Sequence, residues 1–241
     1  MSRASLAALL WVCAPSLFAA DPPPRQRWEK EIEAFEIADK KAPPPPDAVL
    51  FIGSSSIRLW KTLARDFPNH TVVNRGFGGS QIADATRYAD RIIIPYKPRL
   101  IVLGAGSNDL NAGKSPEEVA ADFDAFVEKI RAALPDTRIA FISISPAPAR
   151  AAQMEKQRKT NQLIKKRVAD GNNLDYINIY DPLLGPDGQP REDLFVADRL
   201  HPNAAGYDIH AQIMRLHLGP PTKSKTTGKA KPSATPPAAK P

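Results

Sequence analysis

Five short apolar runs punctuate the chain. Ala48–Ile52 ends at Gly53, Thr71–Val73 is followed by polar residues, Arg99–Leu103 ends at Gly104, Arg138–Ile144 is stopped by Pro146, and Leu174–Tyr180 is the last. Runs of this length, rich in Val and Ile and bounded by Gly and Pro, predict strands buried on both faces, as in a parallel sheet. Between them lie stretches with apolar residues three and four apart. Residues 116–134 are the clearest: Val119, Phe123, Phe126, Val127 and Ile130 share one helical face, and Ser115-Pro116-Glu117-Glu118 supplies a cap and an acidic first turn. Residues 80–94, 150–170 and 203–218 also read as helices. The alternation predicts an α/β domain over residues 47–218, a five-stranded parallel sheet with helices on both faces.

The flanks carry different patterns. Residues 21–46 open with Asp21-Pro22-Pro23-Pro24 and close with Pro43–Pro46, a stiff connector. Between the prolines the spacing predicts a charged helix, with Trp28, Ile32, Phe35 and Ile37 as its apolar positions, docked by one stripe. Residues 1–20 hold one Arg and then an apolar stretch ending in small residues, the pattern of a secretory signal peptide cleaved near Ala20, with an uncleaved anchor as the alternative. Export to a periplasmic or extracellular location follows from that reading. Cys13 is the one cysteine. It lies in the leader, where lipidation is a minor alternative, so the mature chain is expected to have no disulfide, no thiol nucleophile and no Cys-based metal site. Residues 219–241 have no large apolar side chain and are expected to be disordered.

Charge and proline content change the picture less than they first suggest. The net charge is +7 and the pI about 9.5, which alone would point to a nucleic-acid partner. The tail's Lys223, Lys225, Lys229, Lys231 and Lys240, with no acid beside them, and Arg3 in the leader carry nearly all of it. The remaining domain is close to neutral, so no nucleic-acid binding is expected. The basic tail is a candidate contact to anionic cell-envelope material. The basic stretch Lys156–Arg167 reads as a solvated helix face. Many of the 25 prolines sit in the two end segments, leaving the middle ordinary.

In a parallel α/β sheet, ligands bind at the carboxyl ends of the strands. The residues that follow the predicted strands are Gly53-Ser54-Ser55-Ser56, the glycine-rich turn Gly76-Phe77-Gly78-Gly79-Ser80, Gly104-Ala105-Gly106-Ser107-Asn108-Asp109 and, before the last helix, Asp198-Arg199-Leu200-His201. Together they hold a hydroxyl, an imidazole with an Asp three residues before it, backbone N–H donors in a tight turn and an amide. Acyl transfer needs this set: a base to deprotonate the serine, a carboxylate to hold the imidazole, and donors for the oxyanion. Ser54–Ser56 could also cap a helix running through Ile57 and Arg58, and Asp109 is expected to brace its loop. Of the four histidines, His70, His210 and His217 have no Asp three residues before them. Gly113-Lys114-Ser115 and Gly76-Phe77-Gly78 imitate phosphate- and dinucleotide-binding loops, but each lacks a required glycine.

These four segments, in this order, resemble the four blocks of the SGNH (GDSL-type) hydrolases. The resemblance implies a flavodoxin-like three-layer α/β/α fold and a serine esterase needing no metal or organic cofactor. It implies Ser55 as nucleophile, with Ser54 and Ser56 as lesser candidates, and Asp198 and His201 as its partners. The N–H groups of Ser55 and Gly79 and the Asn108 side chain would be the oxyanion donors. The family usually has Asp where this chain has Ser54. The substrate expected is a small-molecule or carbohydrate ester with a short acyl group, handled by a monomer. A lysophospholipid or longer acyl ester, and a non-catalytic envelope-binding protein on the same fold, are the alternatives.

Overall fold

A computed structural model describes residues 27–221. The leader over residues 1–20 and all but the first residues of the tail lie outside the described residues. The elements, in chain order, are α1 (Glu29–Lys41), β1 (Val49–Gly53), α2 (Ser55–Arg58), α3 (Leu63–Asp66), β2 (Val72–Gly76), α4 (Ile82–Arg87), α5 (Ala89–Ile92), β3 (Leu100–Gly104), α6 (Ser107–Asn111), α7 (Pro116–Ala133), β4 (Arg138–Ile142), α8 (Met154–Asp170), β5 (Leu174–Ile177) and α9 (Ala204–Arg215). The strands form one parallel sheet in the order β2-β1-β3-β4-β5, the doubly wound flavodoxin-like order.

Alternate residues of each strand serve opposite faces. Leu50, Ile52, Ile101, Leu103, Ile139 and Phe141 pack with Ile32 of α1, Ile82 of α4, Ile92 of α5 and Phe123, Phe126 and Ile130 of α7. Val49, Phe51, Leu100, Val102, Ala140 and Ile142 pack with Ile57 and Leu63 of α2 and α3, Trp60, and Ala211 and Met214 of α9. Every residue of β1 is buried, because both its faces and both its edges are covered.

Several expected boundaries move. The predicted helix over 80–94 is two, α4 and α5, and α8 begins at Met154 behind a 3-10 turn at Pro148–Gln153. The docked stripe holds as spaced: Trp28, at the N-cap of α1, with Ile32 and the half-buried Phe35, while Ile37, outside that spacing, is 55% exposed. Ile37 follows Trp28 by nine residues, which at 3.6 residues per turn places it on the opposite side of the helix. On α8, Gln157, Thr160, Asn161, Ile164 and Val168 face inward, and the lysines are exposed.

What matters for the site is the level of the strand ends. Gly53 stands beside Gly76 on one side and Gly104 on the other. The loops leaving β1, β2 and β3 therefore start from one line. A Cβ on Gly53, whose φ is +149°, would lie 2.1 Å from the Gly104 carbonyl oxygen, so this close approach requires glycine.

Candidate active site

Ser55 is the first residue of α2, separated from β1 by Ser54 alone. Its Oγ lies 2.8 Å from Nε2 of His201, and His201 Nδ1 lies 2.6 Å from Oδ2 of Asp198. The carboxylate does more than meet the ring: its Oδ1 accepts the backbone N–H groups of Leu200 and His201, both at 2.9 Å. The ring contact first, then these two N–H groups, hold the Asp198 pKa down to about 2, because each stabilises the ionised form. The loop is shaped for this by Arg199, which adopts φ +58° between the two residues, and by Val196 N–H, which donates to His201 O at 2.9 Å. Asp198 is about half exposed and His201 mostly covered, so the pair stands at an open rim.

The glycine turn after β2 is tied down from three directions. Phe77 N–H donates to Gly53 O at 2.9 Å, Ser80 Oγ donates to Phe77 O and Gly53 O, and the indole of Trp28 donates to Gly78 O at 2.8 Å. Gly79 has φ +77°, a left-handed conformation that glycine adopts without strain. Neither the Ser55 nor the Gly79 backbone N–H has a partner among the described residues.

Asn108 sits in α6, after β3. Its Nδ2 donates to Ser80 O at 3.0 Å, and its Oδ1 accepts from Arg150 at 3.1 Å. One amide N–H remains to point elsewhere. The neighbouring Asp109 is fully buried; its Oδ1 accepts Ile82 N–H at 3.2 Å and faces Lys114 Nζ at 3.6 Å. Burial pushes its pKa up to about 6, against the pull of Lys114. It ties α6 to α4 and does not reach the cleft lining.

Ser55, Gly78, Gly79, Asn108, Leu200 and His201, with Glu31 and Arg58, line one open cleft of about 410 Å³. All five sequence-predicted residues are thus brought together. Ser56 and Ser54 line a separate small cavity behind α2, and Ser55 is the one of the three serines bonded to an imidazole. The sequence reading missed Trp28 and Arg150 as supports of this cleft; each acts on residues more than 40 positions away, and such long-range contacts leave no local pattern. Chemically, the arrangement offers an alcohol hydrogen-bonded to a base, a carboxylate behind the base, and unpaired N–H groups beside the alcohol.

Residues 53–209 match the model of the GDSL-like Lipase/Acylhydrolase family. The chain is 29% identical over 219 residues to the platelet-activating factor acetylhydrolase IB subunit alpha2 of Rattus norvegicus, covering 83% of this chain and 90% of that one, and 28% identical to its Homo sapiens counterpart. Among solved structures, a GDSL-like lipase from Bacteroides thetaiotaomicron superposes with a TM-score of 0.66 at 20% identity, covering 78% of this chain and 96% of its own. An acetylxylan esterase from Geobacillus stearothermophilus superposes with a TM-score of 0.61 at 15% identity, covering 73% and 95%.

Proposed function

From the premise that this chain belongs to the GDSL-like lipase/acylhydrolase family and is an ester-hydrolysing enzyme, we propose that it is an exported serine esterase acting on short-acyl, chiefly acetyl, esters of carbohydrate or similar alcohols. Ser55 Oγ attacks the ester carbonyl while His201 Nε2 takes its proton. The N–H groups of Ser55 and Gly79 and the Asn108 amide hold the oxyanion. His201 returns the proton to the departing alcohol, leaving an acyl group on Ser55. It then deprotonates a water that attacks the acyl carbonyl, and the acid leaves as Ser55 regains its hydrogen. Asp198, ionised throughout, stabilises the imidazolium formed in each half.

The observation that carries this reading is the unbroken chain from Ser55 Oγ through His201 to Asp198, at 2.8 Å and 2.6 Å, in a cleft that Gly79 and Asn108 also line. The acetyl preference draws support from the acetylhydrolase relatives and the acetylxylan esterase fold. Export rests on the leader sequence.

A longer-acyl reading is favoured by one feature. A groove of about 460 Å³, lined in part by Ala34, Phe35, Leu63, Ala64 and Val72, shares Glu31 and Arg58 with the cleft. Hydrolysis of p-nitrophenyl acetate and octanoate by the full chain, beside Ser55→Ala, tests both readings. Acetate turnover that disappears in the variant supports the proposal; a strong octanoate preference replaces the short-acyl reading; equal activity in the variant removes Ser55 from the mechanism.

A further inference from the structure

Arg150 lies in the 3-10 turn Pro148–Gln153, where its own backbone departs from helical geometry. Its side chain reaches back to α6. One terminal guanidinium nitrogen donates to the Ser107 carbonyl oxygen and, at 3.1 Å, to Ser107 Oγ; the second terminal nitrogen donates to Asn108 Oδ1 at 3.1 Å. The residue before it faces the other way: Ala149 N–H donates to the Arg199 carbonyl at 2.9 Å, between Asp198 and His201. The turn therefore touches both halves of the site.

Arg99, Arg131 and Arg215 also bond carbonyl oxygens with no carboxylate partner among the described residues, but two features of Arg150 bear on the cleft. Arg75, Arg91, Arg167 and Arg199 each pair with a carboxylate. Arg150 has no acidic partner among the described residues, and burial alone pulls its pKa down. A guanidinium remains charged regardless, so a partly desolvated positive charge sits one amide away from the cleft. The second feature is its acceptor. A carboxamide can present either end; a donor fixed on Oδ1 forces Nδ2 to the opposite side. There one hydrogen is taken by Ser80 O, and the geometry leaves the other for the cleft.

We infer that Arg150 is a positioning residue of the oxyanion site: it fixes the Asn108 amide with its N–H toward the substrate carbonyl and polarises it, while its turn keeps that donor in register with the Asp198–His201 loop. The inference rests on the proposed role of Asn108. Polarisation of a donor by a cation behind it strengthens its bond to a developing anion more than to a neutral carbonyl. The benefit therefore falls on the transition state and not on substrate binding.

The test is a double-mutant cycle on the full chain with p-nitrophenyl acetate. Arg150→Met is expected to lower kcat about 10- to 100-fold with KM within about twofold, less than or equal to the loss of one oxyanion donor. In an Asn108→Ala background the same substitution is expected to cost less than about twofold, since no amide remains to orient. Arg150→Lys, which keeps the charge and loses the fork, should fall between wild type and Arg150→Met; where Arg150→Met does not fold, the cycle is run with Arg150→Lys. Full and additive losses in both backgrounds, or an effect confined to KM, overturn the inference. Wild-type turnover by Asn108→Ala would instead remove the proposed role of Asn108, whereas a slow Asn108→Ala beside an unimpaired Arg150 variant removes the inference alone.

Discussion

The indole Nε1 of Trp28 donates a 2.8 Å hydrogen bond to the carbonyl oxygen of Gly78, one residue before the left-handed Gly79. The same ring is 5% exposed and stands edge-on to Phe77. The helix ahead of the sheet is thus joined to the turn that offers an oxyanion donor. Trp28→Phe keeps an apolar ring and removes the donor. We expect it to cost about 1 kcal/mol of stability and to lower kcat severalfold with little change in KM. Trp28→Ala also opens a cavity and should cost about 3–5 kcal/mol. Melting curves and steady-state kinetics read both effects; a Phe variant with unchanged kcat would limit Trp28 to packing.

Removing the proposed nucleophile and base gives the largest expected losses. Ser55→Ala and His201→Ala should each lower kcat at least about 10,000-fold, and the double variant should be no worse than either single one, because the groups act as a unit. Asp198→Asn should also be severe. It keeps an acceptor and loses the charge that stabilises the imidazolium.

The pH profile follows from the state of Asp198. Its pKa is held to about 2, so it stays ionised wherever the protein is assayed. The charge behind His201 is therefore present whenever the ring takes the Ser55 proton. We expect Asp198 to contribute no proton uptake to the acid limb of log kcat/KM above about pH 4. A slope of two would mean that Asp198 also takes up a proton in that range.

The glycine turn and the strand end make opposite predictions about alanine. At Gly79, with φ +77°, a Cβ would meet only the flexible end of Arg27 at 3.4 Å. Gly79→Ala should fold, cost about 1–2 kcal/mol for the left-handed backbone, and slow turnover as the turn shifts. At Gly53 the Cβ would stand 2.1 Å from a backbone oxygen of the adjacent strand, so Gly53→Ala should prevent the sheet from closing and express as insoluble or unfolded protein. Soluble expression and circular dichroism distinguish the two.

The sheet and the convergence of the four site segments on one rim are legible in the sequence for a physical reason, whereas the choice of Ser55 and Gly79 within them comes from the resemblance to the SGNH hydrolases. A strand buried on both faces must be apolar throughout, and in a parallel sheet the residues after it are forced to one rim. What is not legible is short or remote. α2 and α6, of four and five residues, are too short to show a period. Trp28 reaches a partner 50 positions away and Arg150 one 42 away, and nothing in their local surroundings marks them. The Trp28–Ile32–Phe35 spacing does mark the docked stripe, and the helical angle turns Ile37, which falls outside that spacing, to solvent.

His210 supplies a prediction about stability and not catalysis. It lies on α9, 4% exposed, in edge-on ring contact with Trp60 and Tyr207, and its Nε2 has no partner among the described residues. Burial lowers its pKa from the ordinary 6.5 to about 4, because the apolar surroundings disfavour the imidazolium. In the unfolded chain the ring protonates at its ordinary value. The neutral ring therefore contributes its full stability above about pH 6.5, and that contribution is lost as pH falls toward 4. The total is on the order of 3 kcal/mol. His210→Phe keeps the ring contacts, and the 40 Å³ cavity beside the ring gives room for the larger side chain. The variant should match wild type near pH 7 and become the more stable of the two by about 1–3 kcal/mol at pH 4.5. Denaturant titrations at both pH values read this directly, and stability curves that run parallel for the two proteins would show that His210 does not titrate on unfolding in this range.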